Sequence, residues 1–475
     1  MRFFAFGDTR TMNILIVGNG FDLSHYLPTK YDHFMVAMQA IENWDESKGD
    51  MGFDDLFGKD YWFKDDKTGE EWQNKFFQYT KAVYKTGEIK ISAEKIEELK
   101  KKLTENVWYQ YFLDHVQEVK TWIDFERKIQ QAIEVVFNFF NLVKAISNRS
   151  NNINRKVESY SYKGEASTLV LGGYESSLLN LLKILDCEFL VHEQDDVGKL
   201  RYIKVDKKEK WDFCNFYINE QYFFQTRNFE EFKFDKVVNH LQKNLDNFIT
   251  IFNSYLEIIE ELEPKKNFNV INEIQLYTEV FSFNYTSTCK KNYNVNQIEF
   301  LHGKIGNSQN IVLGISDLER KYLEKYKFYG FTKYHQKLMK QTNYKFLLEN
   351  DGIKSNLNFW LKMENEPIDR FYETETAKKY RTNIYIWGHS LDISDDTYIK
   401  EIFSLNDQLD CNVRVVIFYF DSEAKFDLLA NLLHILEKEK VEKWMKKGWL
   451  KFEENPNIAE INGIKPVELP KLAGT

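Results

Sequence analysis

The sequence predicts an α/β fold in which a parallel β-sheet is interrupted by a large, mostly helical insertion. Two observations lead to this prediction. Short apolar runs, first near the amino terminus and again after residue 275, end in turns that carry glycine, asparagine or histidine, as strands buried on both faces do. Between them lie long stretches with apolar residues at spacings of three and four, which is the period of a helix with one buried face.

The first strand is predicted at residues 13–17, and it leads into Gly18-Asn19-Gly20. A glycine-rich turn after the first strand is typical of a Rossmann-like sheet that binds a dinucleotide. A helix follows the turn, limited in length by Pro28, and a second helix begins near Tyr31.

Two long helices are predicted from apolar stripes in the middle of the chain. The stripes consist of Trp122, Phe125, Ile129, Ile133, Val136, Phe137 and Phe140, and of Phe234, Val237, Val238, Leu241, Leu245, Phe248, Phe252 and Leu256. Long helices with one apolar face pack against each other. Between the two stripes, residues 160–225 fit either short strands or pieces of helix.

Further strands are predicted after residue 275, and a second helical stretch over 318–380 interrupts them. The predicted strands are 279–283, 298–301, 311–313, 383–387 and 413–419, and a helix over 423–447 follows. We therefore predict a discontinuous Rossmann-like nucleotide-binding core of residues 12–45 and 268–455, a mostly helical insertion over 46–267, and terminal extensions at 1–11 and 456–475.

The composition argues against several classes of protein. Of the 475 residues, 43% are hydrophobic and 16% aromatic, which is too apolar for a disordered chain. The net charge of −9 gives no general attraction to nucleic acid, so a nucleic-acid partner is not expected. The start lacks the layout of a signal peptide, and no apolar run reaches about 18 residues, so we expect a cytoplasmic protein without a membrane span.

The cysteines and the other potential metal ligands do not predict a metal site. The four cysteines, Cys187, Cys214, Cys289 and Cys411, lie far apart, and none forms a Cys-x-x-Cys pair. A zinc ribbon and a disulfide framework are therefore not indicated, and we expect no metal cofactor.

The first turn carries candidate nucleotide-binding residues. Glycine at positions 18 and 20 lets the backbone approach a phosphate, and Asn19, Phe21 and Asp22 lie beside it. Leu23 stands where the third glycine of the dinucleotide-binding motif would be. The alternatives are a tight turn without a ligand and an aspartate that only caps the helix.

Two candidate catalytic residues follow later predicted strands. Asn284 comes directly after residues 279–283, and its amide can orient a water or a ribose hydroxyl; it can also simply close a turn. His302 precedes Gly303 at a strand end and suits a general base, although a structural histidine fits the same position. A titrating histidine predicts an acid limb in the rate profile near pH 6 to 7, roughly.

A third turn and a pair of acids complete the candidates. Gly388-His389-Ser390-Leu391-Asp392, with Asp395 and Asp396 close behind, would admit a ligand and offer a carboxylate to a ribose; helix capping explains the same residues. Asp124 and Glu126 flank core-like aromatics and are secondary candidates, with a solvated helix face as the simpler interpretation.

These motifs resemble the AbiH family of bacteriophage abortive infection proteins. The resemblance rests on Ile-Leu-Ile-Val-Gly-Asn-Gly-Phe-Asp-Leu from residue 14, followed by Leu27-Pro28-Thr29-Lys30-Tyr31. The later matching blocks are Trp122-Ile123-Asp124-Phe125-Glu126, Phe283-Asn284-Tyr285-Thr286, Leu301-His302-Gly303, Leu313-Gly314-Ile315 and Gly388-His389-Ser390-Leu391-Asp392. The family in turn resembles the wider SIR2-like group, in which such motifs line an NAD pocket.

The resemblance implies a role for each motif. Gly18, Gly20 and Asp22 would hold the dinucleotide, Asn284 would hold water or ribose near the N-glycosidic bond, and His302 would act on the ribose hydroxyls. Asp392 would contact the far part of the nucleotide, while Tyr285 and Thr286 are secondary candidates beside Asn284. The four-cysteine zinc module of the sirtuin deacylases is missing, which favours NAD hydrolysis over protein deacylation.

We therefore expect an anti-phage effector that hydrolyses NAD to nicotinamide and ADP-ribose. The resemblance also implies a phage-derived trigger or a partner defence protein, and assembly into a homo-oligomer. Two alternatives remain open at this stage. One is a nucleotide-binding phage sensor or scaffold without turnover; the other is a nuclease, whose acids would be Asp124 and Glu126 or the group Asp392, Asp395 and Asp396.

Overall fold

The computed structural model describes residues 12–471 except for 66, 116–117, 120, 149–154, 159–168, 195–199, 207–209, 211–212, 227–228, 270–276, 294, 296, 317, 319, 343–344, 356, 358–381 and 410–412. The predicted extension 1–11 and Cys411 lie outside the described residues, as does most of the second half of the predicted helical stretch 318–380.

The described strands, in chain order, are β1 (Met12–Val17), β2 (Met51–Gly52), β3 (Trp62–Lys64), β4 (Glu71–Gln73), β5 (Lys90–Ile91), β6 (Lys156–Glu158), β7 (Leu169–Val170), β8 (Leu185–Gln194), β9 (Leu200–Val205), β10 (Phe213–Ile218), β11 (Phe223–Thr226), β12 (Phe229–Phe232), β13 (Tyr277–Ser282), β14 (Glu299–Phe300), β15 (Thr382–Trp387), β16 (Val413–Tyr419) and β17 (Leu450–Glu454).

The described α-helices are α1 (Asn19–Ser24), α2 (Tyr31–Glu42), α3 (Phe53–Phe57), α4 (Lys75–Val83), α5 (Ala93–Glu105), α6 (Val107–Asp114), α7 (Trp122–Ser147), α8 (Gly173–Leu181), α9 (Phe234–Glu260), α10 (Thr288–Tyr293), α11 (Arg320–Tyr326), α12 (Lys333–Lys340), α13 (Asp396–Leu409), α14 (Ser422–Leu436), α15 (Lys438–Lys446) and α16 (Ile458–Ile461).

The chain forms two compact units. The first comprises residues 1–97, 252–316 and 333–475, and the second comprises 98–251 and 317–332. The first unit contains a six-stranded sheet in the order β14-β13-β1-β15-β16-β17, and each neighbouring pair is parallel. The predicted α/β class with a parallel sheet is therefore confirmed.

The strand order of this sheet is that of a Rossmann fold. If the six strands are numbered by their own order along the chain, they lie in the order 3-2-1-4-5-6. β1 pairs with β13 on one side and β15 on the other, so the order reverses between β1 and β15. Ligands of open α/β sheets bind outside the carboxyl ends of the strands at such a reversal, which is where the first and third predicted turns lie.

Both faces of the central strand are buried, as its apolar sequence predicts. Every residue of β1 is buried, from Met12 to Val17. On one face, Ile14 and Ile16 join the apolar side chains of β15 and β16 and those of α13, α14 and α15 in one cluster. Because neither face meets water, the strand needs no polar alternation.

Three details of this unit differ from the sequence prediction. Residues 311–313 are buried but form no strand, since Val312 N–H donates to the His302 carbonyl and Leu313 N–H to the Gln336 side chain. The predicted helix over 423–447 is two helices, α14 and α15, because Glu437 between them takes a positive φ of 68°. The sixth strand, β17, was not predicted; its Leu-Lys-Phe-Glu-Glu sequence has the polar character of a sheet edge.

The second unit combines helices with a five-stranded sheet. The sheet has the order β7-β6-β10-β8-β9, so the open segment 160–225 contains strands as well as the helix α8. The predicted long helices are confirmed as α7 and α9, whose periodic residues are largely buried. Within the described part of the chain, Cys187 and Cys214 of this unit and Cys289 of the first unit form no disulfide bond.

Candidate functional site

The first and third predicted turns pack directly on each other at the carboxyl edge of the sheet. Gly18 N–H donates to the Trp387 carbonyl at 3.0 Å, and Gly20 N–H donates to the Gly388 carbonyl at 2.8 Å. A Cβ on Gly20 would lie 2.7 Å from the Gly388 Cα, and a Cβ on Gly388, which has a φ of +72°, would overlap the Phe21 nitrogen. These glycines are therefore required by the contact between the turns themselves.

The amide of Asn284 joins the second strand's end to the first turn. Its Nδ2 donates to the Gly18 carbonyl at 2.9 Å, and its backbone N–H donates to the Ser282 hydroxyl at 3.1 Å. The side chain is buried beside Asp22. With the amide nitrogen held by the turn, the amide oxygen is the atom suited to accept a hydrogen bond from a water.

Asp22 is a buried carboxylate with an incomplete set of partners. Its Oδ2 accepts from the Thr286 hydroxyl at 2.6 Å, whereas its buried Oδ1 has no hydrogen-bond partner among the residues that the structure describes. Burial raises the pKa of Asp22 to about 6, against hydrogen bonds from Thr286, Thr288 and Asn284 that lower it. A buried carboxylate left half satisfied is costly to the fold, which favours a functional reason for keeping it.

We call the space beside this carboxylate the Asp22 chamber. Its lining is formed by Val17, Phe21, Asp22, Ser282, Asn284, Thr286, Thr288, Cys289 and Ile298. These residues lie so close together that the space has no room for a water molecule. A dinucleotide therefore does not fit between them in this arrangement.

His302 forms a second group with residues from the third turn, which we call the His302 cluster: His302, His389 and Asp395. The Nε2 of His302 lies 3.0 Å from Asp395 Oδ1, and the Nε2 of His389 lies 3.5 Å from Asp395 Oδ2. The Leu391 N–H donates to Nδ1 of His389 at 3.0 Å. All three side chains of the cluster are buried.

The hydrogen bonds of the His302 cluster define its protonation. Burial raises the pKa of Asp395, but the Lys333 charge and the bonds from His302 and His389 outweigh it and hold that pKa well below its usual range. Burial lowers the pKa of His302 to about 4, although Asp395 opposes this. At neutral pH, Nε2–H of His302 therefore donates to an ionised Asp395, and Nδ1 carries no proton.

This result corrects the expected pH dependence. A neutral imidazole is the form that accepts a proton, and it predominates above the pKa. Since burial lowers the pKa of His302 to about 4, the limb assigned to this residue moves below the range of roughly pH 6 to 7 that its residue type indicates.

The ring of Phe283 contacts both histidines of the cluster. Its centroid lies 5.0 Å from that of His302 and 4.2 Å from that of His389. Phe283 directly precedes Asn284, so one short segment contributes both to the His302 cluster and to the Asp22 chamber. The structure thus brings together residues from four separate parts of the sequence at one edge of the sheet.

The other predicted site residues have local partners. Asp392 accepts from Ser394 N–H at 3.0 Å, and the carbonyl of Ser390 accepts from Asn431 at 3.0 Å. The Tyr285 hydroxyl donates to the Val312 carbonyl at 2.9 Å, whereas Asn19 is half-buried at the start of α1.

Asp124 and Glu126 do not belong to the compact unit that contains the residues described above. Both belong to α7 in the second compact unit. The carboxylate of Asp124 accepts from the Thr121 N–H and hydroxyl in a capping box at the start of that helix. Asp396 likewise has a local partner, since it pairs with Lys400 one turn along α13.

Two lysines and an aspartate complete the site, and the sequence pattern did not identify them as its members. Lys333 and Lys337 of α12 are buried, with Lys333 Nζ 3.1 Å from the Ser394 hydroxyl and Lys337 Nζ 3.1 Å from the Tyr398 hydroxyl. Asp395 was named as an acid close to Asp392 and as a candidate acid of the nuclease alternative, but not as a partner of His302. The sequence of α12 carried a signal that could have found the lysines. Lysine and glutamine lie on one face of this helix and Tyr334, Leu338 and Met339 on the other. A folded protein usually buries the apolar face, so the two faces needed to be compared.

Two negative findings apply to the described residues. Within the described part of the chain, no group of three or more histidine, cysteine, aspartate or glutamate side chains is arranged to hold a metal ion. None of the described helices combines the length and apolar character needed to cross a membrane.

Comparison with known protein families identifies the group to which the chain is related. The family model for bacteriophage abortive infection AbiH matches residues 14–419, which covers most of the chain and parts of both compact units. The chain belongs to the AbiH family. A role of this AbiH protein in anti-phage abortive infection follows from that membership. Searches of curated proteins and of solved structures returned no match.

Proposed function

We propose that this AbiH protein is an effector that hydrolyses NAD to nicotinamide and ADP-ribose, with His302 as the base. The observation that carries the proposal is the pair formed by His302 and Asp395 at the carboxyl edge of a sheet with Rossmann strand order. The SIR2-like resemblance of the motifs supplies NAD as the substrate. We propose that the protein acts in the cytoplasm, because the proposed substrate is a metabolite of the infected cell.

The proposed reaction breaks the bond between the ribose C1′ and the nicotinamide nitrogen. The bonding electron pair goes to the ring nitrogen, so nicotinamide leaves neutral and positive charge develops on the ribose. Nδ1 of His302 accepts a proton from a ribose hydroxyl and thereby raises electron density on the sugar. Asp395 stabilises the imidazolium that forms, because it is ionised and already accepts from Nε2.

Water completes the hydrolysis at C1′. The amide oxygen of Asn284 orients this water, since the amide nitrogen is held by Gly18. The water oxygen bonds to C1′ and loses one proton to the solvent, while His302 returns its proton to the ribose oxygen, giving ADP-ribose and a neutral His302. Asp22, with one oxygen unpartnered in the chamber, offers an acceptor to a hydroxyl or amide of the substrate.

The small volume of the chamber adds a condition to the proposal. The chamber has no room for a water molecule, so the turns around it separate before a substrate reaches Asp22 and Asn284. An effector that depletes NAD harms its own cell unless it is held inactive. We therefore propose that a phage-derived trigger or a partner defence protein favours the open arrangement, with a homo-oligomer as the assembled form.

The proposal is tested by measuring nicotinamide release from NAD with and without phage lysate. Wild-type protein is expected to release nicotinamide and ADP-ribose in equal amounts, and His302→Ala to release neither. Binding of NAD without release under both conditions would instead indicate a nucleotide sensor or scaffold. No binding at all would remove NAD from the proposal.

A further inference from the structure

We propose that Lys333 is a positioning residue of the His302 cluster, which keeps Asp395 ionised and so holds His302 in the tautomer with an unprotonated Nδ1. This inference deepens the proposed function and rests on it for the role of His302 as a base. Lys333 does not need to touch the substrate. Its charge acts on Asp395 and on His302, and its Nζ donates a hydrogen bond at 3.1 Å to the hydroxyl of Ser394, the residue before Asp395.

Helix α12 buries its polar face and exposes its apolar face. Lys333, Gln336 and Lys337 are 6%, 3% and 9% exposed, whereas Tyr334 and Met339 on the same helix are each 71% exposed. Burying a lysine costs free energy unless the ammonium is paired, and burying an apolar side chain in its place would stabilise the fold. A helix that buries its lysines and exposes its apolar residues therefore indicates that the lysines serve the site.

Helix α12 places the two lysine charges beside the third turn and α13. Lys333 and Lys337 are one helical turn apart and both face the third turn and α13, through Ser394 and the Tyr398 hydroxyl respectively. The backbone fixes this placement, because Lys333 N–H donates to the Ile315 carbonyl at 2.8 Å. Gln336 adds a pair of hydrogen bonds to the backbone of Leu313. The helix is thus tied to the segment that follows His302.

The same two charges act electrostatically on the His302 cluster. Three charged groups act on His302, namely Asp395, Lys337 and Lys333, and two more titratable groups, His389 and Tyr398, interact with Asp395. The Lys333 charge lowers the pKa of Asp395, and both lysines lower the pKa of His302. His389 contributes a hydrogen bond from Nε2, since Leu391 N–H occupies its Nδ1. Lys333 thus favours both an ionised Asp395 and a neutral His302.

The experiment records the ring nitrogen shifts of His302 by NMR across pH, in protein labelled with ¹⁵N-histidine. The His302 signal is assigned from its loss in His302→Ala. The variants are Lys333→Met, Lys333→Arg and the matched control Lys340→Met, because Lys340 lies on the same helix but donates to the Ile311 carbonyl. Lys333→Gln is added, since it keeps a donor for Ser394 without the charge and guards against misfolding of the methionine variant.

The expected result is an upward shift of the His302 titration of about one pH unit in Lys333→Met and Lys333→Gln. Lys333→Arg and Lys340→Met are expected to titrate like the wild type. If folded Lys333→Met and Lys333→Gln leave the titration and tautomer of His302 unchanged, the inference is wrong. The NMR measurement uses no NAD, so a failure of NAD hydrolysis with the predicted shifts intact would overturn only the proposed function.

Discussion

At the scale of single residues, the site depends on two buried acids whose pKa values are shifted in opposite directions. Asp395 receives hydrogen bonds on both oxygens and lies near Lys333, so its pKa lies well below the usual range. The Oδ2 of Asp22 accepts from the Thr286 hydroxyl, its Oδ1 has no hydrogen-bond partner among the described residues, and burial raises its pKa to about 6. The first acid is suited to stabilise a charged histidine, and the second to receive a ligand or a proton.

We predict that His302→Ala and Asp395→Asn each reduce NAD hydrolysis by at least about 100-fold, because the first removes the base and the second removes the group that orients it. The matched control is His434→Ala on the exposed part of α14, which is expected to retain wild-type turnover. The wild-type rate, measured by nicotinamide release, should fall through protonation of His302 only when the pH approaches the pKa of that residue, about 4. Full activity in Asp395→Asn would contradict the assignment.

We predict that Asp22→Asn stabilises the protein at neutral pH. The folded pKa of about 6 exceeds the ordinary value of 3.8, so the folded state binds the proton more tightly and this contribution to stability is lost as pH rises through 6. The gain at pH 7.5 amounts to roughly 3 kcal/mol at most. Urea unfolding at pH 7.5 and 4.5 measures it, and the gain should be much smaller at pH 4.5. Equal destabilisation at both values would show that the carboxylate serves the fold.

At the scale of elements, the central prediction concerns the contact between the first and third turns. Gly388→Ala is expected to destabilise the protein by roughly 3 kcal/mol or more, because it combines a left-handed backbone with overlap at the Phe21 nitrogen. Gly463→Ala is the matched control, since Gly463 has a φ of +60° but open space around it, and its cost is about 1 to 2 kcal/mol. Equal costs in urea unfolding would mean that the turns do not pack as described.

The break between α14 and α15 gives a second prediction at this scale. Glu437 has a φ of 68° and a ψ of 153°, a conformation that favours glycine, and its side chain is exposed. Glu437→Gly is therefore expected to stabilise the protein by about 1 kcal/mol, as measured by urea unfolding. The carbonyl of residue 437 still accepts from Val441 N–H in the variant. A loss of stability would show that the side chain makes a contribution larger than the strain.

The elements also show how far the sequence could predict the fold. The apolar runs at β1, β15 and β16 were recognisable because buried parallel strands carry no polar alternation. Residues 311–313 have the same apolar character but bond to His302 and Gln336 instead of a neighbouring strand, a difference that only the tertiary structure determines. Pattern alone does not separate these two cases.

For the site, the sequence could predict the turns but not the partners. Glycine, asparagine and histidine after apolar runs indicated Gly18, Asn284, His302 and Gly388, and the structure places all four at one edge of the sheet. The sequence did not predict Lys333 because a lysine on a short helix usually lies in water. Its proposed role depends on the packing of α12 against a turn 61 residues later in the chain.

At the scale of the whole molecule, all the site residues described above lie in the first compact unit. The second unit, residues 98–251 and 317–332, contributes none of them, yet the AbiH match extends through it. We expect this unit to serve the response to infection instead of the chemistry. Substitutions on its surface should therefore change the activation by phage lysate. They should leave the unfolding of the first unit, which contains the His302 cluster, unaffected.

The measurement that tests the central claim most directly is chromatography of NAD after incubation with the purified protein, with and without phage lysate. We predict release of nicotinamide and ADP-ribose by the wild type in the presence of lysate, and its loss in both Asn284→Ala and His302→Ala. Release that persists in both folded variants, or NAD that stays intact when the lysate is present, would contradict the account.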